Sequence, residues 1–303
     1  MSEAKKILIG PSTFAEKDKS PMDLLRKSGY QIIDNPYKRK LTREELLQLL
    51  DFDVIGLIAG LETLDRAVLS KSKLKCISRV GSGMSNVDLV VAKELNIVVK
   101  STPDVPTQAV AELTIGALLS LLRFIPEMSN DLHGGRWRKQ IGRQLEGKNC
   151  LIVGYGRIGR RVARLLDAFG ATISIYDPFL ANNSGLSQVP SLEAALPNAD
   201  IISLHSSGEQ CLLGEKEFGL MKHGVVVLNA SRGGAIDEKA LADSLEGGKV
   251  MGAWIDTFSE EPYSGPLINF PNVLLTPHVG SYTLECRRAM ETEAVQNLLS
   301  VLR

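Results

Sequence analysis

The chain has four cysteines, and none forms a C-x-x-C pair. Cys76, Cys150, Cys211 and Cys286 lie far apart, which argues against a zinc site or a disulfide framework and for a reducing, cytoplasmic setting. Net charge is also missing: Lys plus Arg number 35 and Asp plus Glu number 35. No overall positive field is therefore available to hold nucleic acid or an anionic membrane. Long apolar runs are absent as well. The stretch from Leu113 to Ile125 is broken by Ser120 and Arg123 and cannot span a bilayer. The N-terminal run Ile7 to Ile9 is too short for a signal-peptide core and reads as a first strand. No solenoid-period repeat and no low-complexity tract is present.

What remains is an ordinary globular composition, 44% apolar and 23% charged, in 303 residues. That length exceeds what one core usually organises, so two domains are expected. Short β-rich runs alternate with helical patterns throughout. Ile7–Ile9, Tyr30–Ile33, Val54–Ile58, Cys76–Val80 and Ile97–Val99 read as strands of a first series. Cys150–Val153, Thr172–Tyr176, Ile201–His205, Val225–Asn229, Gly252–Asp256 and Val273–Thr276 read as a second. Such alternation means parallel sheets with right-handed crossovers. Gly29 stops a helix over Met22–Ser28, and Thr42 with Glu45 forms a capping box. Between the series, Pro103 and Pro106 break the chain and Thr107 is expected to cap a helix running to about Arg123. That helix is apolar nearly all round, so it is buried in a core or between subunits. The last segment, Thr283 to Leu302, is helical with no strand after it.

Leu151-Ile152-Val153 leads into Gly154-Tyr155-Gly156-Arg157-Ile158-Gly159, followed by a helical pattern. This G-x-G-x-x-G run stands between a strand and a helix, the context a dinucleotide site requires. Gly154, Gly156 and Gly159 allow a tight turn and close approach of backbone N–H groups to a pyrophosphate at a helix N-terminus. The next strand ends at Asp177. A carboxylate there accepts bonds from the adenine-ribose hydroxyls and repels a 2′-phosphate, so NAD is favoured over NADP.

Three further strand ends carry polar groups: Asn229-Ala230-Ser231-Arg232-Gly233-Gly234, then Thr257 to Pro262 with Glu260 and Glu261, then Pro277-His278-Val279-Gly280. In an open parallel sheet ligands bind beyond the carboxyl ends of strands. Reduction of a 2-oxo acid needs a grip on its carboxylate, which a guanidinium provides, and a proton for its carbonyl oxygen, which histidine provides. A carboxylate beside that histidine stabilises imidazolium. Arg232, His278 and Glu261 supply these parts. Taken singly, each also has an ordinary reading as a solvated charge or turn residue.

Together these segments resemble the D-2-hydroxyacid dehydrogenase family. The resemblance covers nearly the whole chain. It runs through Arg79-Val80-Gly81-Ser82-Gly83 with Asn86-Val87-Asp88, Ser101-Thr102-Pro103 to Ala111-Glu112, G-Y-G-R-I-G, S-R-G-G, S-E-E-P and T-P-H-V-G. It implies two Rossmann/flavodoxin-like, doubly wound parallel-sheet α/β domains separated by a cleft: residues 1–101 plus 282–303 for substrate, and residues 102–281 for NAD. It implies catalytic roles for Arg232, Glu261 and His278, and substrate-carboxylate binding by backbone N–H groups around Val80, Gly81 and Ser82. Arg157, Ile158, Asp177, Ser206, Ala230, Ser231, Arg232, Asp256, His278, Gly280 and Ser281 would line the coenzyme site, and no metal is implied. The last helix would cross back to the first domain, and the chain would form a homodimer through its NAD-binding domain.

Within the family the chain most resembles phosphoglycerate dehydrogenase-like members without a C-terminal regulatory domain, so serine feedback of that type is not expected. Two segments depart from that pattern. Where such proteins have Arg-Ser-x-Thr, this chain reads Ala59-Gly60-Leu61-Glu62-Thr63, with an acidic residue and no basic one. Where they have L-H-x-P-x-T, it reads Leu204-His205-Ser206-Ser207-Gly208-Glu209. Loss of the proline loosens a loop near the coenzyme, and Ser206 keeps a hydroxyl there. His205 reads as a structural strand-end residue. Lys38-Arg39-Lys40 reads first as a solvated basic loop and second as an anchor for a phosphate or carboxylate. His133 to Arg138 lies in a region that reaches across the dimer in relatives. The expected activity is hydride transfer between NAD(H) and C2 of a small 2-hydroxy or 2-oxo acid, with 3-phosphoglycerate one candidate and hydroxypyruvate or glyoxylate the alternative. A reading of another class is a corepressor-like module that senses NAD(H) and binds proteins.

Overall fold

A computed structural model describes residues 5–51, 53–180, 187–208 and 210–303. The chain forms two compact units, Met1–Pro106 with Ser281–Arg303, and Thr107–Gly280. The first unit is built on β1 (Lys6–Ile9), β2 (Gln31–Ile33), β3 (Val54–Ala59), β4 (Cys76–Arg79) and β5 (Val98–Lys100). Their order is β2-β1-β3-β4-β5, and every pairing is parallel. All of β3 is buried, as expected of a central parallel strand covered on both faces. One of its covers is the terminal helix Leu284–Leu302, which buries Met290, Ala294, Val295, Leu298 and Leu299. A Cβ at Gly56 would stand 2.8 Å from Leu302 Cδ1, so the glycine in β3 lets this helix lie close. The helix therefore returns to the first unit.

The second unit carries β6 (Asn149–Val153), β7 (Thr172–Tyr176), β8 (Ile201–Leu204), β9 (Val225–Asn229), β10 (Val250–Ile255) and β11 (Val273–Leu275). The order is β11-β10-β9-β8-β6-β7, again parallel throughout. Gln188 adds an isolated parallel bridge to Ile175 outside β7. Side chains alternate along the strands. Leu151, Val153, Ile202, Leu204, Val225 and Val227 enter one core, while Cys150, Ile152, Ile201, Val226, Leu228 and Trp254 enter the core on the other face.

The helix that opens this unit starts at Pro106 and runs to Leu122, so Thr107 lies inside it instead of capping it. Proline suits the first helical position, where its missing N–H is not needed. Ala111, Ile115, Leu118, Leu121 and Leu122 pack into the unit's own core. A second helix, Ile125–His133, follows Phe124 in the left-handed region at φ 51°. Among the described residues no single helix is long and apolar enough to cross a membrane, and no cluster suited to a metal ion occurs.

Candidate active site

The crossover direction reverses between β6 and β8, because β7 lies on one side of β6 and the later strands on the other. That reversal opens a crevice at the strands' carboxyl ends. Gly154 turns there at φ +91°, and a Cβ on it would meet the Ser206 backbone nitrogen at 2.6 Å. A Cβ on Gly159 would meet Gly154 O at 2.0 Å, so only hydrogen lets the helix Arg157–Ala168 start this close to the strand. Nothing lies within 4 Å of the Cβ position at Gly156, the N-cap of that helix. Asp177, just past β7, accepts the Tyr155 N–H at 2.7 Å and the Phe179 N–H at 2.9 Å. Its carboxylate is thereby fixed beside the glycine turn. Ser206 Oγ is buried with no hydrogen-bond partner. Its neighbour His205 bonds Ser203 Oγ through Nε2 at 2.8 Å, and burial pushes its imidazole down to about 4. Burial of this kind favours the neutral ring. Glu209, noted in the same segment, lies outside the described residues.

Farther along the sheet, the three polar strand ends belong to the neighbouring strands β9, β10 and β11. Asn229 Oδ1 accepts from the Ser231 N–H and hydroxyl, and its Nδ2 donates to Arg232 O at 2.9 Å. One side chain thus folds the turn that presents Arg232, whose Nη1 donates to Ser231 O at 2.7 Å. The next residue, Gly233, lies so close to Phe258 that a Cβ would meet its backbone at 1.9 Å. The Arg232 turn is therefore seated against the loop bearing Glu261. Glu261 Oε1 accepts the Phe258 N–H at 3.2 Å, and both Glu261 oxygens stand 3.0 Å from His278 Nδ1. The His278 side chain keeps 42% exposure, so the ring reaches Glu261 while its other edge stays accessible.

His278 sits at φ 53°, a conformation uncommon for a residue with a Cβ. Asp256 holds the backbone around it. Buried just past β10, it accepts from Thr276 Oγ1 at 2.5 Å, Val279 N–H at 2.9 Å and Gly280 N–H at 2.8 Å. Trp254 Nε1 donates to the same threonine at 2.9 Å. Burial raises the Asp256 carboxyl, opposed by the Thr276 hydroxyl and the two amides.

Residues 115–280 match the family model described as D-isomer specific 2-hydroxyacid dehydrogenase, NAD binding domain. The chain is also 32% identical to a hydroxypyruvate reductase of Thermotoga maritima, over 92% of this chain and 96% of that protein. It belongs to the D-2-hydroxyacid dehydrogenase family. A D-3-phosphoglycerate dehydrogenase of Methanocaldococcus jannaschii is 38% identical over 87% of this chain and 52% of its own length. The chain thus spans about half the length of that protein and of the D-3-phosphoglycerate dehydrogenase of Rattus norvegicus. A solved structure of a Thermus thermophilus protein superposes with a TM-score of 0.90 at 32% identity, covering 98% of this chain and 96% of the other.

Most of the second unit matches the NAD binding domain of this family, and its residues fit that coenzyme. The open space at Gly156, the unpartnered Ser206 hydroxyl and the placed Asp177 carboxylate are the features a dinucleotide needs. Arg157 and Ile158 open the helix beyond the glycine turn, and Ala230 packs at the end of β9. In the first unit, considered by itself, two of the three amides expected at a substrate carboxylate have acceptors within the protein. Val80 N–H donates to Ala59 O at 2.8 Å, and Gly81 N–H donates to Thr102 Oγ1 at 2.8 Å. Ser82 is left as the donor of that segment. Arg39, within the basic loop, is tied to Glu45 through Nη1 at 2.9 Å, so one of its three cations braces the capping box. Ser281 falls in the first unit and Gly280 in the second. Asn229, Thr276 and Trp254 are positioning residues that the sequence pattern presents only as strand-end polar groups and a core aromatic.

Proposed function

We propose that this chain is an NAD-dependent oxidoreductase that interconverts a small 2-hydroxy acid and its 2-oxo acid. The observation that carries this reading is the His278–Glu261 pair held at the end of the same sheet as an NAD-type glycine turn. Bound NAD(H) supplies or accepts the hydride at C2. In this chain, the Glu261 carboxylate faces His278 Nδ1, so Nδ1 keeps its proton and Nε2 is the atom that gives or takes the hydroxyl proton. In reduction charged His278 donates; in oxidation the neutral ring accepts. Arg232 is assigned the substrate carboxylate, for which a planar guanidinium is suited, and Asn229 fixes its turn. In the first unit the Ser82 amide is assigned to a substrate carboxylate.

The chain is further proposed to form a homodimer through its NAD-binding unit. Trp137, Ile141, Leu132 and Ile125 of that unit are exposed, Ile141 at 97%. Asp131, itself buried, anchors this segment through Arg136 and Arg138. Exposed apolar residues on a fixed arm support association. Cys76, Cys150 and Cys286 are buried free thiols, which supports a cytoplasmic location.

The test is NADH oxidation by purified protein across hydroxypyruvate, glyoxylate, pyruvate, 2-oxoglutarate and phosphohydroxypyruvate. Turnover of at least one, lost in His278→Ala, is the expected result. Absence of turnover with all five, together with NADH-dependent peptide binding, would replace the enzyme with a sensor module.

A further inference from the structure

The first unit has its own crevice of the kind that holds ligands in parallel sheets. Its strand order reverses at β1/β3, with β2 on one side of β1 and β3 to β5 on the other. Gly10 follows β1 and Gly60 follows β3. The space between them is filled by a carboxylate of the protein. Glu62 is 1% exposed, and its Oε2 accepts the Gly60 N–H at 2.6 Å. A Cβ at Gly10 would stand 2.7 Å from Glu62 Oε1, and one at Gly60 would stand 3.3 Å from it. Two residues without side chains thus leave room for one anionic group, and Glu62 occupies it.

The surroundings suit an anion. Burial raises the Glu62 carboxyl, while the Gly60 amide, Arg79 and Lys40 act to keep it charged. Arg79 ends β4 and lies across the following loop, where its Nη1 would be 1.8 Å from a Cβ on Gly81. The loops after β3 and β4 leave from registered neighbours, Ala59 and Arg79, and Asn86 Nδ2 ties them by donating to Gly60 O and Glu62 O. The Ser82 amide and the Glu62 carboxylate therefore belong to loops that leave adjacent strand ends.

We propose that Glu62 is a specificity-determining residue: an internal carboxylate that fills the anion place at the first unit's switch point and bars 2-oxo acids bearing a second anionic group at C3. This rests on the assignment of the substrate carboxylate to the Ser82 amide. A phosphate at C3 would contend with the Glu62 carboxyl that already fills this place, and like-charge repulsion sets in once that carboxyl ionises above its raised value. A neutral hydroxymethyl or hydrogen at C3 meets no such penalty. The substrate class is thus the unphosphorylated short 2-oxo acids.

The experiment compares wild type, Glu62→Gln, Glu62→Ala and the charge-retaining Glu62→Asp. Steady-state kcat/KM is measured for hydroxypyruvate and for phosphohydroxypyruvate, alongside thermal-shift titration with inorganic phosphate. Wild type should favour hydroxypyruvate and show no phosphate stabilisation. Glu62→Gln or Glu62→Ala should raise the phosphorylated-to-unphosphorylated ratio by about tenfold or more and gain phosphate stabilisation, while Glu62→Asp should resemble wild type. Wild-type preference for the phosphorylated acid overturns the proposal even if no variant folds. Folded neutral variants with an unchanged ratio and no phosphate response overturn it too. If wild type reduces none of the five acids of the panel above, the dehydrogenase reading fails; in that case, as when it reduces only another of the five, the phosphate titration still decides whether Glu62 holds an anion place.

Discussion

The two units use the same device, a parallel sheet whose winding reverses, and treat the resulting crevice in opposite ways. At β6/β8 the protein withholds side chains: Gly154 and Gly156 leave space, and the Ser206 hydroxyl waits without a partner. At β1/β3 two glycines again leave space, and Glu62 fills it from within. One crevice is shaped to be completed by a dinucleotide, and the other is completed by the chain itself. Fold alone therefore does not specify a binding site; what stands at the switch point does.

That contrast can be broken or sharpened by experiment. The largest expected effect concerns the open side. His278→Ala should lower kcat/KM by about 10³-fold, with the melting temperature little changed because the ring is part-exposed. Next, Asp177→Ser should raise the NADPH-to-NADH preference by about tenfold, read from paired kcat/KM values, since the carboxylate that would face a 2′-phosphate is gone. A smaller effect separates the units by pH. His205 is held at about 4 against an ordinary 6.5, so its neutral form supports the second unit above pH 6.5. That support is lost as pH falls from 6.5 towards 4, on the order of 1–3 kcal/mol. A His205→Asn variant should show a flatter acid limb in denaturant titrations. The smallest effect has the opposite sign. The Glu62 carboxyl is raised by burial, so the stability gained from its protonation is complete below about pH 4.5 and is lost as pH climbs through the raised value. The stability difference between Glu62→Gln and wild type should move in the variant's favour as pH rises.

Much of this arrangement is legible in the residues. β7 and β9 have the bounds their β-branched runs indicate, and the Thr42–Glu45 capping box forms as written. His278 and Glu261 meet because the ends of neighbouring parallel strands are adjacent. Other features depend on tertiary context. Ile125–His133 has Ile125, Met128 and Leu132 at helical spacing, but it is short, polar between them and entered through a left-handed Phe124. A glutamate in a loop is read by default as solvated, and only the paired absence of side chains at Gly10 and Gly60 makes the burial of Glu62 sterically open. Asn229 looks like the last residue of a strand, and its role as the frame of the Arg232 turn depends on three hydrogen bonds that no local pattern encodes.

The Trp254–Thr276–Asp256 chain makes the molecule self-reporting. Only two tryptophans occur, and both lie in the second unit. Trp254 is fully buried with its indole N–H tied to the loop that carries His278, whereas Trp137 is 81% exposed on the outer arm. A water-borne quencher such as acrylamide reaches the outer indole first. What emission survives comes from Trp254, a native optical gauge of whether the loop that carries His278 is in place.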